Sequence, residues 1–380
     1  GAQGPRVVVV GAGAFGGWTA LELQRLGARV TLVDAWGPGH TRASSGGETR
    51  VIRTTYGTRV IYTRMAARAL TLWREYEARW QRQFLTKTGA LWMFGADDSF
   101  GRASASVLRA EGLAVEELTS ADAARRYPQI SFDGVRSVLF EADAGSLLAR
   151  RSCEHVVAQF VAAGGDYRLA SVVSPATVDR PLQSVPLDGG GRLDADAFVF
   201  ACGPWLGHLF PDVIGARVTP TRQEVHYFGT PAGDDRFLES RFPVWVDYGD
   251  ALIYGIPGNV NRGFKVANDA AGPVFDPTLG SREPSPVSVA SARAFVARRF
   301  PLLKDAPYLG SEVCQYEASP DSHFIVDTHP RAANTWIVGG GSGHGFKMGP
   351  AMGELVAAQV LGQRAKEPTF SLSRFKENRS

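Results

Sequence analysis

The sequence predicts an α/β protein in which a Rossmann-like dinucleotide-binding domain is interleaved with an antiparallel-sheet α+β domain. Three observations predict it. Residues 7–10, VVVV, run straight into Gly11, Gly13 and Gly16, a G-x-G-x-x-G pattern that opens a helix. A second glycine-rich turn over 339–345 feeds another helix near the far end of the chain. Between the two, residues 219–269 alternate apolar and polar side chains in several runs, as an antiparallel sheet does.

The all-apolar, β-branched run 7–10 suits a strand covered on both faces. Each glycine of the motif has a task. One permits the tight turn, one lets backbone N–H groups approach a pyrophosphate, and one lets the helix pack close to the strand. The helix N-terminus adds a partial positive charge. Trp18, Ala20, Leu21 and Leu23 continue at helical spacing up to Gly27, a good stop. A second strand over 29–33 ends in Asp34, where a carboxylate accepts from ribose hydroxyls. Strand, glycines, helix, strand and acid in this order predict a dinucleotide. They do not separate NAD from FAD, but the acid argues against NADP, whose 2′-phosphate it would repel.

A chain of 380 residues has room for two domains of ordinary size, and 44% hydrophobic with 21% charged residues describes a globular protein. A net charge of +3 gives no reason to expect nucleic acid or a membrane surface as partner. No apolar run reaches transmembrane length. Cys153, Cys202 and Cys314 are too scattered for a disulfide framework or a metal site, so no metal is expected and a reducing, cytoplasmic compartment is. Residues 1–5 read as a flexible lead.

Residues 35–59 read as a loop of small residues (Ser44, Ser45, Gly46, Gly47) beside Arg50 and Arg53, able to wrap a large cofactor. Residues 62–80 follow as an amphipathic helix with Met65, Ala69, Leu72 and Trp73 inward. Residues 84–94 read as a strand pair turned at Gly89, and 103–111 and 120–127 as short helices, the second capped by Ser120. A longer helix is expected over 146–163, stopped by Gly164-Gly165, then strands over 166–173 and 194–202. The latter ends in Gly203-Pro204-Trp205, repeating the strand-then-glycine logic of the first unit. Residues 285–300 read as a helix with Ser285 as cap and Pro286 in its first turn.

At the C-terminal turn a strand over 335–338 leads into Gly339-Gly340-Gly341-Ser342-Gly343-His344-Gly345-Phe346-Lys347, and residues 348–361 are helical with Pro350 near the start. This is a second site for an anion, with the full charge of Lys347 added. A flavin has use for it, because its reduced ring carries negative charge at N1/O2; an NAD enzyme has none.

Taken together, the chain resembles the monomeric sarcosine oxidase family of the D-amino acid oxidase superfamily over nearly its whole length. The resemblance rests on residues 9–16, His40-Thr41, 47–53, Tyr56-Gly57, 86–89, Tyr254-Gly255, Val313-Cys314-Gln315-Tyr316, 322–327 and 342–347. It implies a Rossmann-like FAD-binding domain of glutathione-reductase type, made of residues 1–80, 146–215 and 306–380, interleaved with a substrate domain of residues 81–145 and 216–305. It implies FAD attached covalently through Cys314, with cofactor contacts from Gly11, Gly13, Ala14, Phe15, Gly16, Asp34, Ala35, His40, Ser44, Ser45, Arg50, Val172, Gly203, Trp205, Gly343, His344, Gly345 and Lys347. Arg53 and Lys347 match the pair that holds a substrate carboxylate, a task suited to an arginine fork and a lysine point charge. Arg50 matches a basic residue near the flavin ring, Lys265 the lysine that activates dioxygen, and Tyr254 and Tyr316 pocket tyrosines.

Three departures bear on the substrate. A histidine that sarcosine oxidases carry four residues after the oxygen-activating lysine is Asp269 here; a pocket methionine aligns with Trp245; and Glu317 adds a carboxylate after Tyr316. They point away from sarcosine itself and toward a cationic amine in a pocket of different shape. The resemblance implies an oxidase of the C–N bond of a secondary amine or an N-alkyl or cyclic amino acid, giving an imine and hydrogen peroxide, in a monomer whose partners are that substrate and dioxygen. The alternatives are a dehydrogenase of the same fold that hands electrons to a carrier, and a flavin-binding protein without turnover.

Overall fold

The structure is a computed structural model that describes residues 3–40, 42–175, 177–259 and 262–376. Thr41, part of one matching stretch, lies outside the described residues, as do Gly1 and Ala2 of the N-terminal lead. In chain order the first elements are β1 (Arg6–Val10), α1 (Ala14–Arg25), β2 (Arg29–Asp34), β3 (Thr49–Ile52), α2 (Val60–Trp80), β4 (Leu85–Thr86), β5 (Ala90–Phe94), α3 (Ser99–Ala110), β6 (Glu116–Thr119) and α4 (Ser120–Arg126). Then come β7 (Ser137–Glu141), β8 (Gly145–Leu148), α5 (Ala149–Ala162), β9 (Asp166–Leu169), β10 (Ser184–Pro186), β11 (Arg192–Asp194), β12 (Ala197–Phe200) and α6 (Leu206–Leu209). The last third holds β13 (Thr219–Phe228), β14 (Val244–Tyr248), β15 (Leu252–Ile256), β16 (Phe264–Asn268), α7 (Pro286–Arg299), β17 (Tyr308–Ala318), β18 (Ile325–His329), β19 (Ala332–Gly339) and α8 (Gly349–Val360).

One sheet has the order β18-β19-β12-β1-β2-β9, parallel except for the β18–β19 hairpin. Its central strand β1 is buried from Val7 to Val10, as an apolar run covered on both faces requires. Helix α1 packs between α8 and α5, with α2 against α8. Gly349 and Gly353 of α8 admit Trp18 of α1, whose ring meets Trp73, Tyr76 and Trp80 of α2 at centroid distances of 4.9–5.7 Å. Such aromatic contacts stabilise by about 0.5–1.5 kcal/mol each beyond their buried area. Met65, Ala69, Leu72 and Trp73 face this core, as the periodicity predicts.

The second sheet has the order β17-β13-β16-β15-β14-β5-β7-β6. It is antiparallel but for one parallel pair, β5 with β14, which joins residues 90–94 to the central run. A small third sheet has the order β3-β8-β4.

The structure corrects several expectations. Residues 146–148 are strand, not helix: Ser146 and Leu147 pair with Val51 and Arg50 of β3, so cross-strand pairing overrides the helical spacing and α5 starts only at Ala149. The 35–59 loop accordingly contains β3. Residues 84–94 do turn at Gly89 (φ +76°), but β4 and β5 leave for different sheets and form no hairpin. Thr119, not Ser120, caps α4, its Oγ1 accepting from the Asp122 N–H at 3.0 Å. Ser285 caps α7 as expected. Residues 308–318, assigned by sequence to the dinucleotide domain, instead run as β17 along β13, from Thr219 opposite Ala318 to Phe228 opposite Tyr308, and so carry Cys314 into the antiparallel sheet.

Candidate active site

The C-terminal ends of β1, β2 and β12 and the glycine turn after β19 face the antiparallel sheet across a cavity of about 690 Å³. On the first side the backbone does the shaping. Gly11 sits at φ +104°, and a Cβ there would overlap the Ala201 carbonyl; a Cβ on Gly16 would overlap the Gly11 carbonyl. The turn and the close approach of α1 to β1 therefore both need glycine. Gly16 lies under the turn and does not line the cavity; Gly11, Gly13, Ala14 and Phe15 do. Ser45 closes the loop over this end, its Oγ accepting from the Ala14 N–H at 2.9 Å.

Asp34 ends β2 on the cavity wall with Ala35. Burial pushes its carboxyl up to about 6 against the pull of the backbone N–H groups of Trp36, Ala12, Ala35 and Gly37. Val172, Gly203 and Trp205 line the same half, and Trp205 donates its indole N–H to Thr278 Oγ1 at 2.9 Å. The glycine cradle at a helix N-terminus, the acid beyond it and a cavity of this size fit FAD.

The opposite wall is made of side chains. Trp92 of β5, Val246 of β14, Leu252 and Tyr254 of β15, Lys265 of β16, and Cys314 and Tyr316 of β17 all line the cavity. Lys265, near the start of β16, and Asp269, one residue past its end, both line the cavity, roughly 13 Å apart along an extended chain.

At the Lys265 end, two cations converge on one acceptor. Lys265 Nζ and Arg50 Nη1 each donate to the Thr49 carbonyl at 2.9 Å. Lys265 is 3% exposed, and burial, with the Arg50 charge beside it, lowers its ammonium to about 8. Arg50 also donates to the carbonyls of Ser44, at 2.9 Å, and Gly46. Cys314 lines the cavity with its thiol raised by burial, an effect opposed by the charges of Arg50 and Lys265.

At the other end Arg53 and Lys347 share the ring of Tyr56, with the guanidinium 4.2 Å and the ammonium 5.1 Å from its centroid. Arg53 donates to the Thr55 carbonyl and Lys347 to the His344 carbonyl at 2.8 Å. Lys347 is 3% exposed, and burial lowers its ammonium well below the usual range. The Tyr56 hydroxyl meets His344 Nδ1 at 2.9 Å, and His344 Nε2 meets the Ser322 carbonyl at 2.8 Å. A carbonyl only accepts, so Nε2 carries the hydrogen and Nδ1 accepts from Tyr56; the ring is neutral, as its burial also favours. Tyr316 donates to Asp269 Oδ1 at 2.9 Å, with burial raising the Asp269 carboxyl and holding Tyr254 at about 12. Gly343, at φ +81°, leaves room for the Tyr316 ring.

Trp245 and His40 do not line the cavity, and Glu317 lines it only away from Tyr316. Trp245 is 0% exposed and stacks between Phe264 and Phe295 on the far face of the sheet, above Gly255; its neighbour Val246 faces the cavity, because successive strand residues point to opposite sides. His40 does not line the cavity. Its ring stacks on Trp36 and its Nδ1 accepts from the Arg42 N–H at 3.1 Å, which closes a turn. Glu317 adds no charge beside Tyr316: it points the other way, between Gly203 and Gly341, and its Oε2 accepts from Ser44 Oγ at 2.7 Å, with burial pushing it up to about 7.

Sequence reasoning missed Tyr56 as the platform for the two cations, and Glu141 behind it. Glu141 accepts from the Thr54 N–H and Oγ1 and from Trp92 Nε1, each at 2.9 Å, and so anchors the segment that carries Arg53. A lone glutamate ending a strand gives no signal of this; the aromatic three residues after Arg53 was the available one.

A family model described as FAD dependent oxidoreductase matches residues 6–359. Monomeric sarcosine oxidase of Bacillus sp. (strain B-0618) is 30% identical, the alignment covering 97% of this chain and 95% of that protein. N-methyl-L-tryptophan oxidase of Salmonella arizonae is 29% identical over 98% of both. The crystal structure of L-proline dehydrogenase from P. horikoshii superposes with a TM-score of 0.83 at 19% identity, covering 99% of this chain and 98% of that one, and so shares the fold. With its glycine cradle, buried cations and cavity lying where two sheets meet, the chain belongs to the FAD-dependent oxidoreductase family.

Proposed function

We propose that the protein oxidises the C–N bond of an N-alkyl or cyclic amino acid, giving an imine and hydrogen peroxide, with FAD attached through Cys314. One observation carries the reading. Arg50, Arg53, Lys265 and Lys347 all border the cavity, their hydrogen bonds go to backbone carbonyls, and none meets a carboxylate in an ion pair among the described residues. Cations gathered on one cavity with no carboxylate in direct contact, Asp269 and Glu312 acting on them only from farther off, call for an anionic ligand.

Arg53 and Lys347 bind the substrate carboxylate, the fork of one and the point charge of the other fixed on Tyr56. That grip orients the α-carbon and excludes water from the end lined by Trp92, Val246 and Leu252. FAD, held by the glycine cradle and Asp34, would supply the two-electron acceptor for the substrate and the redox chemistry with dioxygen. Lys265, with Arg50, holds positive charge where reduced oxygen forms. Cys314 lines the cavity; burial raises its thiol, and the charges of Arg50 and Lys265 oppose that rise and so assist attachment to the cofactor. We extend the reading to a cytoplasmic monomer, in keeping with three free cysteines.

A peroxide-coupled screen of N-alkyl and cyclic amino acids tests the activity: turnover with peroxide supports an oxidase, and reduction of the flavin by an amino acid without reoxidation by air supports the dehydrogenase. Acid precipitation tests the linkage. Yellow colour should stay with the protein pellet and be released by Cys314→Ala; colour passing to the supernatant from the unmodified protein refutes attachment.

A further inference from the structure

An amino acid reaches the cavity with its nitrogen protonated, whereas hydride leaves the α-carbon only when that nitrogen has a lone pair to share. The proton must therefore go somewhere. Five carboxylates line the cavity: Asp34, Glu48, Asp269, Glu312 and Glu317. Asp34 ends β2 on the cofactor side. Glu48 is bound to Arg262 at 2.6 Å. Glu312 lies against Gly47 at the Arg50 and Lys265 end, and Glu317 against Ser44. Asp269 alone among them feels both Arg53 and Lys347. Of the other bases at that end, His344 uses both ring nitrogens, and Lys347 acts as a cation toward the carboxylate.

We propose that Asp269, held by Tyr316, takes the ammonium proton of the bound amino acid, so that the site recognises a zwitterion by both its charges. This rests on the carboxylate role of Arg53 and Lys347. Tyr316 occupies Oδ1, and Oδ2 has no hydrogen bond among the described residues. The N–H bond of the ammonium breaks and an O–H bond forms at Oδ2; no electrons change hands, and a charged pair becomes a neutral one. The surroundings favour that exchange. Burial raises the Asp269 carboxyl, and the same burial with two adjacent cations lowers an ammonium placed beside it. The groups facing Asp269 are the hydroxyls of Tyr316, Tyr254, Tyr248 and Tyr56 and the cations of Arg53 and Lys347, with no second carboxylate to compete at close range among the lining residues.

The test uses the flavin-loaded enzyme under anaerobic conditions, with N-methyl amino acids and proline as reductants between pH 6 and 9.5. With an internal acceptor the reduction rate is nearly flat with pH. In Asp269→Asn the proton must leave to solvent, so reduction should fall about a hundredfold at pH 7 and climb about tenfold per pH unit toward the parent rate. Asp269→Glu, which keeps a carboxylate, should recover much of the flat profile; with flavin content equal to the parent, it separates lost chemistry from lost folding. Flavin-absorbance titrations give a second readout. Asp269→Asn should weaken the amino acid and leave propionate, which has no nitrogen, bound at least as tightly. A flat profile in Asp269→Asn, or equal weakening of both ligands, overturns the proposal while leaving the carboxylate site intact. Absence of any perturbation by propionate or amino acid in the parent overturns the carboxylate site and this proposal with it.

Discussion

The two walls of the cavity are built on different terms. The glycine wall acts through its backbone: Gly11, Gly13 and the 339–345 turn bring main chain close to the space where a cofactor lies. The sheet wall acts through side chains whose positions are set by register among strands far apart in sequence. The contrast teaches where substitution hurts. A backbone wall fails by steric overlap and loses the cofactor; a side-chain wall fails one chemical step at a time and keeps its shape.

Four substitutions sharpen or break that contrast. Lys265→Met keeps the stem and removes the charge on the sheet wall. Anaerobic reduction by substrate should change little, while reoxidation by dioxygen should slow by roughly two to four powers of ten, a loss of about 3–5 kcal/mol. A lysine is charged below its pKa. The parent's oxygen step should therefore decline as pH rises through about 8, and the variant should show no such decline. Equal slowing of both half-reactions would make Lys265 a structural residue.

On the glycine wall, Gly16→Ala should push α1 off β1. A destabilisation of about 1–3 kcal/mol with most of the flavin lost is expected, measured by thermal unfolding and flavin content. Retained flavin with only kinetic defects would erase the distinction between the walls. Arg53→Ala should weaken a carboxylate inhibitor at least about tenfold, since a charged hydrogen bond to a desolvated partner contributes about 1.5–3 kcal/mol. Unchanged affinity at normal flavin content refutes that role. The smallest effect belongs to Trp245→Phe. Its indole N–H finds no acceptor among the described residues, and its ring faces away from the cavity, so KM should move by less than about twofold and stability by about 1 kcal/mol or less. A large change in KM would mean that the strand's facing is other than described.

The same contrast explains what the sequence disclosed. The glycine wall was legible because tight turns and close approaches demand glycine at fixed spacing, and β1, α1, β2 and Asp34 fell where the motif put them. The sheet wall was not legible from residues alone. Nothing near Lys265 or Cys314 in sequence declares which strands flank it, and those positions were found through resemblance. Alignment also carried a pocket role onto Trp245, and the two-residue period of a strand gives the cavity to Val246 instead. Tyr316 and Glu317 part company for the same reason. Residues 146–148 were misread because helical spacing and buried-strand spacing coincide over three residues, and only the pairing with β3 decides between them.

The strand order of the first sheet has a consequence for synthesis. β1 and β2 leave the ribosome well before their partners: β12, the other neighbour of β1, follows nearly 190 residues later, and β19, which completes that side, ends at Gly339. α8, which closes over α1, comes later still. The nascent chain therefore carries an apolar strand and a glycine cradle without their coverings until β19 and α8 have emerged. Non-local pairings of this kind form slowly and leave edges exposed meanwhile. A chain released before residue 339 lacks β19 and α8 and is expected to aggregate, not to yield a smaller working enzyme, and the need for chaperones should be greatest before these two elements have emerged.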